Sequence, residues 1–539
     1  MKPTLYYGGT ILTMTPAPAP EAILVGGDGR IAALGGRDEL ESLAPDAERI
    51  CLDGAALMPA FIDPHSHFSN VASSLLQLRL ENVLSFAELQ ARVKDYIAAH
   101  HLAPGQWVNA SGYDHTRLAE GRHPDRALLD AAAPQNPVVL QHASGHVGVL
   151  NTAALRALDV TAKTPVPPGG EIALDAGGQP TGYLAEGAFV ACLKRVPPPD
   201  IAALLAAFDR AQEIYAAHGI ATVQEGLMVE GMQPLYRALL QSGKLRLDVV
   251  GYPEADAADA YHRDFAAHEH RYRGHFKIGG RKLLLDGSPQ ARTAWLSRPY
   301  LGCTPAEEPT CPDSGYCGQG SMNPAAVEEA VARAAADGMQ ILAHCNGDAA
   351  AQEFLDACMA VARRDPRLRE LRPVMIHAQL LRPDQLPEVR ALGMIPSFFV
   401  AHVYHWGDLH LRNFGVERAA HISPAGSALR AGIPFTFHQD APVLPPDMLE
   451  TVWCAVNRLT AAGLLLGPEE RIPAADALRA VTVNAARQYF EEGEKGALAP
   501  GMRADLTILS KDPLAVPPAE LRGIRVLATI KDGVCIWTA

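Results

Sequence analysis

Long apolar runs, clustered positive charge and paired cysteines are all missing from this chain of 539 residues. No segment approaches the roughly 20 consecutive apolar residues of a membrane-spanning helix, and Met1 to Thr10 lack the uninterrupted apolar core of a secretory leader. The expectation is a cytoplasmic protein with no membrane partner. The 47 Lys and Arg against 60 Asp and Glu, a net charge of −13, are spread without a basic patch, which argues against nucleic acid. A small molecule is the expected partner, and a homodimer is left open. The 9 cysteines form no Cys-x-x-Cys pair, and an odd count fits reduced thiols better than a disulfide framework. Cys303, Cys311 and Cys317 gather in a Gly- and Pro-rich stretch, but at a spacing that matches no common zinc knuckle. Aromatics make up only 6%. Trp107, Tyr113 and Trp406 therefore stand out, with two readings open: a wall against substrate, or simple packing.

Histidine, by contrast, is plentiful, with 20 in the chain. The most informative stretch is Phe61-Ile62-Asp63-Pro64-His65-Ser66-His67, which follows the apolar run Ala55 to Ala60. In extended backbone, residues i and i+2 point to the same side, so both rings can reach one metal ion from a strand end. A second pair, His268-Glu269-His270, lies in a charged, helix-like run with no strand beneath it. Three further apolar runs end in histidine: Gln340 to His344, Pro373 to His377, and Pro434 to His438, the last followed by Gln439-Asp440. Other β runs cover Ala221 to Glu225, Arg246 to Val250, Arg281 to Asp286 and Gly393 to Val400, mostly separated by Ala-rich helical segments. Such alternation predicts an α/β protein with a TIM-like (β/α)8 barrel, whose functional residues gather at the C-terminal ends of its strands.

The two ends of the chain read as one further domain. Residues 4–14 and 22–34 alternate around the turn Gly26-Gly27-Asp28-Gly29, a hairpin signal, and the tail resumes the pattern after Gly496. The expected organisation is a composite β-sandwich from 1–56 and 490–539, a barrel over 57–489, and an insertion or lid over 70–210. That last segment is far longer than an ordinary strand-to-helix connection.

These pieces together resemble the amidohydrolase superfamily, specifically amidohydrolase family 3, a branch that includes N-substituted formamide deformylases. The matching stretches are Leu57 to His67, Pro137 to His146, Lys282 to Ser288, His344 to Asp348, His377-Ala378-Gln379 and His438 to Val443. Two departures are Ala60, where relatives usually carry Gly, and Gln439, where Ser is common. The resemblance implies the composite sandwich and a binuclear centre of two divalent ions, with Zn(II) favoured by the His-rich set and Mn, Fe or Co also fitting it. His65, His67 and Asp440 would hold one ion, His344 and His377 the other. Lys282 would bridge them as a carbamate formed from CO2, because a buried lysine loses its proton readily and its neutral amine then reacts. The competing reading makes Lys282 an ordinary ammonium paired with a carboxylate such as Asp286.

The implied reaction is hydrolysis of an amide or N-formyl C–N bond by a metal-activated hydroxide, with Asp440 as catalytic base and acid and His438 or His377 next in line. His146 and Asn151 are read either as substrate contacts or as scaffold. Arg292 is read either as a carboxylate clamp or as the partner of Asp286, itself a weaker substrate-site candidate. Two other functions are kept: a mononuclear deaminase of a heterocycle, and a catalytically silent scaffold, which the intact ligand set disfavours.

Overall fold

Apolar runs with β-branched residues become parallel strands in the computed structural model, which describes residues 1–115, 117–143, 147–166, 170–197, 199–301 and 315–539. One parallel sheet contains Phe61–Ile62, Ile220–Met228, Asp248–Pro253 and Phe276–Ile278 in that order. A second contains Gly280–Leu284, Gln340–Cys345, Val374–His377, Ile395–Phe398 and Thr436–Phe437. A parallel bridge, Glu254 with Lys282, links the two sheets.

The expected closed barrel is not formed as a continuous ladder: among the described residues, Thr436–Phe437 and Phe61–Ile62 share no strand pairing. Both are two residues long. The Ile62 N–H donates to the Val481 carbonyl at 2.9 Å, so a neighbouring loop takes the group that would have closed the ring. The inward side chains nevertheless form one core, in which Ile62, Val250 and Tyr252 of the first sheet join Leu342, Val374, Ile376 and Ile395 of the second. The strands are buried on both faces and mostly apolar, with buried polar residues such as Gln224, Glu225, Lys282 and Ser397 set among the aliphatic ones.

Helices follow the strands. Pro324–Ala336 starts with Asn323, whose side chain accepts from the Ala326 N–H, and with proline in the first turn. Asp348–Arg364 leads away from the His344 strand. Both termini supply two further sheets. The first holds Thr4–Tyr7, Ala22–Val25, Ile31–Gly35 and Glu48–Cys51, with Ala22–Val25 and Ile31–Gly35 paired as a hairpin. The second holds Thr10–Ile11, Ala56–Pro59, Leu506–Leu509, Val526–Lys531 and Val534–Thr538. Tyr6, Ile23 and Val25 share a core with Leu57, Leu506 and Ile530. Ala56–Pro59 thus belongs to this sheet, and the strand leading to His65 starts at Phe61.

The chain divides into two compact units, one of residues 1–71 with 209–539, the other of 72–208. The smaller unit has a six-stranded sheet with parallel neighbours Val108–Tyr113 and Val138–His142. No helix among the described residues is long and apolar enough to cross a membrane.

Candidate metal centre

Strand register decides which side chains meet. In the second parallel sheet Leu284 pairs with His344 and Cys345 with His377, so the Lys282, His344 and His377 strands end at one level. His65 and His67 follow Phe61–Ile62, and Asp440 follows Thr436–Phe437. The outcome is a cluster with Asp440 at its centre. Its Oδ1 lies 3.4 Å from His65 Nε2 and 3.3 Å from His67 Nε2, and its Oδ2 lies 3.9 Å from His377 Nε2. The ligand atoms of His65, His377 and Asp440 all fall within 4.8 Å of one another. The His344 ring stands edge-on to His377, with centroids 4.6 Å apart. Asp440 and His377 occupy left-handed backbone, φ 54° and 71°. The tight turns this allows bring side chains of short strands into the cluster.

Three of the imidazoles, those of His65, His344 and His377, are oriented from behind. His65 Nδ1 meets Gln224 Oε1 at 2.6 Å, and the carboxamide of Gln224 is fixed by donating to the Pro64 carbonyl. His344 Nδ1 meets Asp286 Oδ1 at 3.0 Å, while Asp286 also accepts from the N–H groups of Trp295, Asn346 and Gly347. His377 Nδ1 meets His438 Nε2 at 3.0 Å, and His438 Nδ1 meets Ser397 Oγ at 2.9 Å. A ring tied at Nδ1 presents Nε2 forward, the arrangement metal-binding histidines use. Gly226 is required beside His65, because a Cβ there would stand 2.6 Å from the ring.

The electrostatics favour neutral rings at His65, His377 and His438 beside an ionised carboxylate. Burial pushes His65 and His377 well below the usual histidine range, and His438 down to about 3. Burial alone would raise the Asp440 carboxyl, but contact with His67 and the imidazoles of His377 and His65 outweigh it and hold the group well below the usual carboxylate range. Lys282 is fully buried, with its ammonium brought down to about 7 by desolvation against a smaller upward pull from Asp440. Its Nζ has no hydrogen-bond partner among the described residues. Asp286 is committed to His344 and the backbone, and the carboxylate that acts on Lys282 is Asp440.

Neutral nitrogens, a carboxylate and an unpaired amine at one buried place suit divalent cations. The sequence profile of the amidohydrolase family matches residues 49–537. The chain belongs to the amidohydrolase family. This amidohydrolase is 30% identical to N-substituted formamide deformylase of Arthrobacter pascens, over 95% of this chain and 94% of that one. It is 26% identical to the amidohydrolase YtcJ of Bacillus subtilis, over 99% of both chains. Among solved structures, a metal-dependent hydrolase from Pyrococcus furiosus superposes with a TM-score of 0.77 at 26% identity, covering 95% of this chain and 100% of that one. The amidohydrolase is thus a metal-dependent hydrolase acting on carbon–nitrogen bonds.

The remaining candidates fall in several places. Arg292 Nε donates to Asn413 Oδ1 at 3.0 Å and its terminal nitrogen to the Leu301 carbonyl at 3.1 Å. Trp406 lies against His402 and Phe399, with ring centroids 4.5 and 6.1 Å away. Phe399 also stands 6.2 Å from the His377 ring. In the inserted unit, Trp107 packs against the Val139, Leu150 and Phe189 core, while Tyr113 is buried with its hydroxyl 2.9 Å from His123 Nδ1. Asn151 is scaffold: its side chain accepts from Val138 and Ala154 and donates to the carbonyls of Ala133 and Asn136. His146, Cys303 and Cys311 lie outside the described residues. Gln439 donates to the Asp447 carbonyl at 3.1 Å, fastening the segment after Asp440. Gln224 and Ser397 orient rings yet carry no motif that announces it. Both occupy β runs whose apolar character hides their polar members.

Proposed function

We propose that the protein hydrolyses the C–N bond of an amide or N-formyl amine, using two divalent metal ions and a carboxylated Lys282. The observation that carries the reading is Lys282 itself, a buried amine near neutrality with no hydrogen-bond partner among the described residues, close to Asp440. Its neutral nitrogen would bond to the carbon of CO2 and release a proton to solvent, leaving a bidentate anion. The residues fit such a centre: His65, His67 and Asp440 for one ion, His344 and His377 for the other, carboxylated Lys282 between, and Zn(II) as the metal suited to this donor set. When bound, the ions would supply an acidified water and polarise the substrate carbonyl. Asp440, kept ionised by its imidazole neighbours, orients that water, accepts its proton and delivers it to the leaving nitrogen. His438 sits behind His377 and steadies that ring through the attack. An amine and a carboxylic acid leave.

The two parallel sheets are taken as halves of a (β/α)8 barrel, since their inward residues share a core. The inserted unit is assigned the role of a lid that sets substrate choice, with Trp107 and His146 among its candidate contacts and Arg292 and Trp406 in the larger unit; Tyr113 and Asp286, buried on protein partners, drop out of that set. The likeness to a formamide deformylase directs the substrate class toward N-substituted formamides.

A second reading, a mononuclear deaminase, is favoured by one observation: the ligand atoms of His65, His377 and Asp440, a set sufficient for a single ion, lie within 4.8 Å of one another. Assay of N-substituted formamides for released amine and formate, alongside metal analysis, separates the two. The expected result is amine release, with about two ions per chain bound at the His65–Asp440 cluster, as in binuclear hydrolases, and loss of turnover on chelation. Full activity with a single ion, and ammonia release from a heterocyclic amine, would overturn it.

A further inference from the structure

The inserted unit contains a second group of metal-ligating side chains that the proposed hydrolytic centre does not use. Val108–Tyr113 and Val138–His142 run parallel, with a register shift just before His142 that pairs it with Tyr113. The ends of two neighbouring strands thereby bring Asp114, His115 and His142 together. His115 Nδ1 faces His142 Nε2 at 3.1 Å, and Asp114 Oδ1 lies 3.7 Å from that same Nε2. All three ligand atoms fall within 4.8 Å of one another.

We propose that Asp114, His115 and His142 bind a first-row divalent cation, at a site sharing no residue with the His65–Asp440 cluster. Nitrogen ligands about 2.0–2.1 Å from a tetrahedral ion stand about 3.3–3.4 Å apart, the edge of the tetrahedron. The 3.1 Å separation of the two imidazole nitrogens is close to that edge. The carboxylate, at 3.7 Å, reaches a third vertex through a small side-chain rotation.

The rings are held from outside the triad, as metal-binding rings are. His115 stacks on His123, with centroids 3.9 Å apart and planes 25° from parallel. His123 Nδ1 meets the hydroxyl of buried Tyr113 at 2.9 Å, and the Tyr113 ring stands edge-on to His142 at 5.1 Å. One buried tyrosine thus orders both sides of the group. Two imidazoles and a carboxylate leave a fourth position open to water or an exogenous ligand. The ion would clip the segment after one strand to the end of its neighbour.

Co(II) uptake by the full-length, metal-stripped protein tests the idea, since tetrahedral nitrogen and oxygen coordination gives the ion a visible absorption band. The comparison uses His115→Gln/His142→Gln in two backgrounds, the natural chain and His65→Gln/His67→Gln. In both, the His115/His142 change is expected to remove about one Co(II) per chain with its share of the absorption band. Asp114→Asn, at a partly exposed position, is expected to weaken that uptake at least tenfold with far-UV circular dichroism unchanged, and decides the matter should the double variant unfold. Equal stoichiometry and affinity with and without these three side chains would overturn the site. Formamide hydrolysis is not part of the readout, so failure here leaves the proposed reaction standing, and failure of that reaction leaves this site standing.

Discussion

Around Asp248, at the start of its strand, buried charges meet opposite charges: Lys495 at 2.6 Å, Lys531 at 3.0 Å, and from Lys495 onward Glu491 at 3.0 Å. Lys531 continues to Asp505 at 3.1 Å, and Lys277 pairs with Glu491. Around Asp440, at the opposite ends of the parallel strands, the neighbours are imidazoles, and burial, the largest influence on His65 and His377, keeps those two neutral. Lys282 beside them meets no hydrogen-bond partner among the described residues. Burying charge is costly unless it is paired. The first cluster satisfies that demand internally and acts as a structural clamp between the strands and the C-terminal segments. The second leaves it open and is suited to cations from outside. In parallel barrels the N-terminal ends of strands serve stability and the C-terminal ends serve chemistry.

Breaking the clamp should give the largest change in free energy. Asp248→Asn leaves two buried ammonium groups short of a counter-charge and is expected to destabilise the fold by about 3–5 kcal/mol, with metal content and kcat preserved in the folded fraction. Chemical denaturation checks this. Lys495 and Lys531 outweigh burial and hold the Asp248 carboxyl well below the usual range. Its contribution is therefore present above the carboxylate's unfolded pKa and lost as pH falls through the lower folded value, so the variant should show a flatter acid limb.

Next is Asp440→Asn, which should keep the fold and much of the metal while lowering turnover by about 100-fold or more, the usual scale for removing a general acid/base. Near-normal kcat would move the proton transfer to His438 or His377. Asp286→Ala frees the His344 ring and should weaken metal binding by about 10–100-fold; competition with a chromophoric chelator measures it. Reloading of stripped protein in the presence of bicarbonate should improve as pH rises through about 7, where Lys282 becomes neutral and reactive. Lys282→Ala should abolish that dependence. The smallest effect is expected from Trp107→Ala in the inserted unit, a few-fold rise in KM at constant metal content; an unchanged ranking of acyl and amine groups would remove Trp107 from substrate selection.

The histidines around Asp440 are legible in the sequence because each stands at or just past the end of a β run, whereas Lys282 lies in mid-strand. What holds them is less legible. Asp286 lies four residues past Lys282 and invites an ion pair, yet it serves His344, across a strand pairing that sequence distance conceals. Arg292 is drawn to Asn413, 121 residues away, by a contact no local pattern encodes. Strand closure fails to show because Phe61–Ile62 and Thr436–Phe437 are too short to carry a ladder, and Val481 takes the free N–H. Lys277 and Lys495 read as ordinary basic residues until both termini are folded against the strands.

The left-handed backbone at Asp440 also narrows what this position can become. Glycine adopts φ near 54° at no steric cost, Asn and Asp at a small one, and bulkier or β-branched residues only with strain. Glu keeps the charge but brings a longer arm in an ill-suited conformation. A random codon at 440, selected only for a well-folded product, should therefore return mostly Asp, Asn and Gly. A descendant losing its chemistry by drift has one conservative exit, a single-base change from Asp to Asn, and such a lineage would carry that asparagine as the fossil of its former activity.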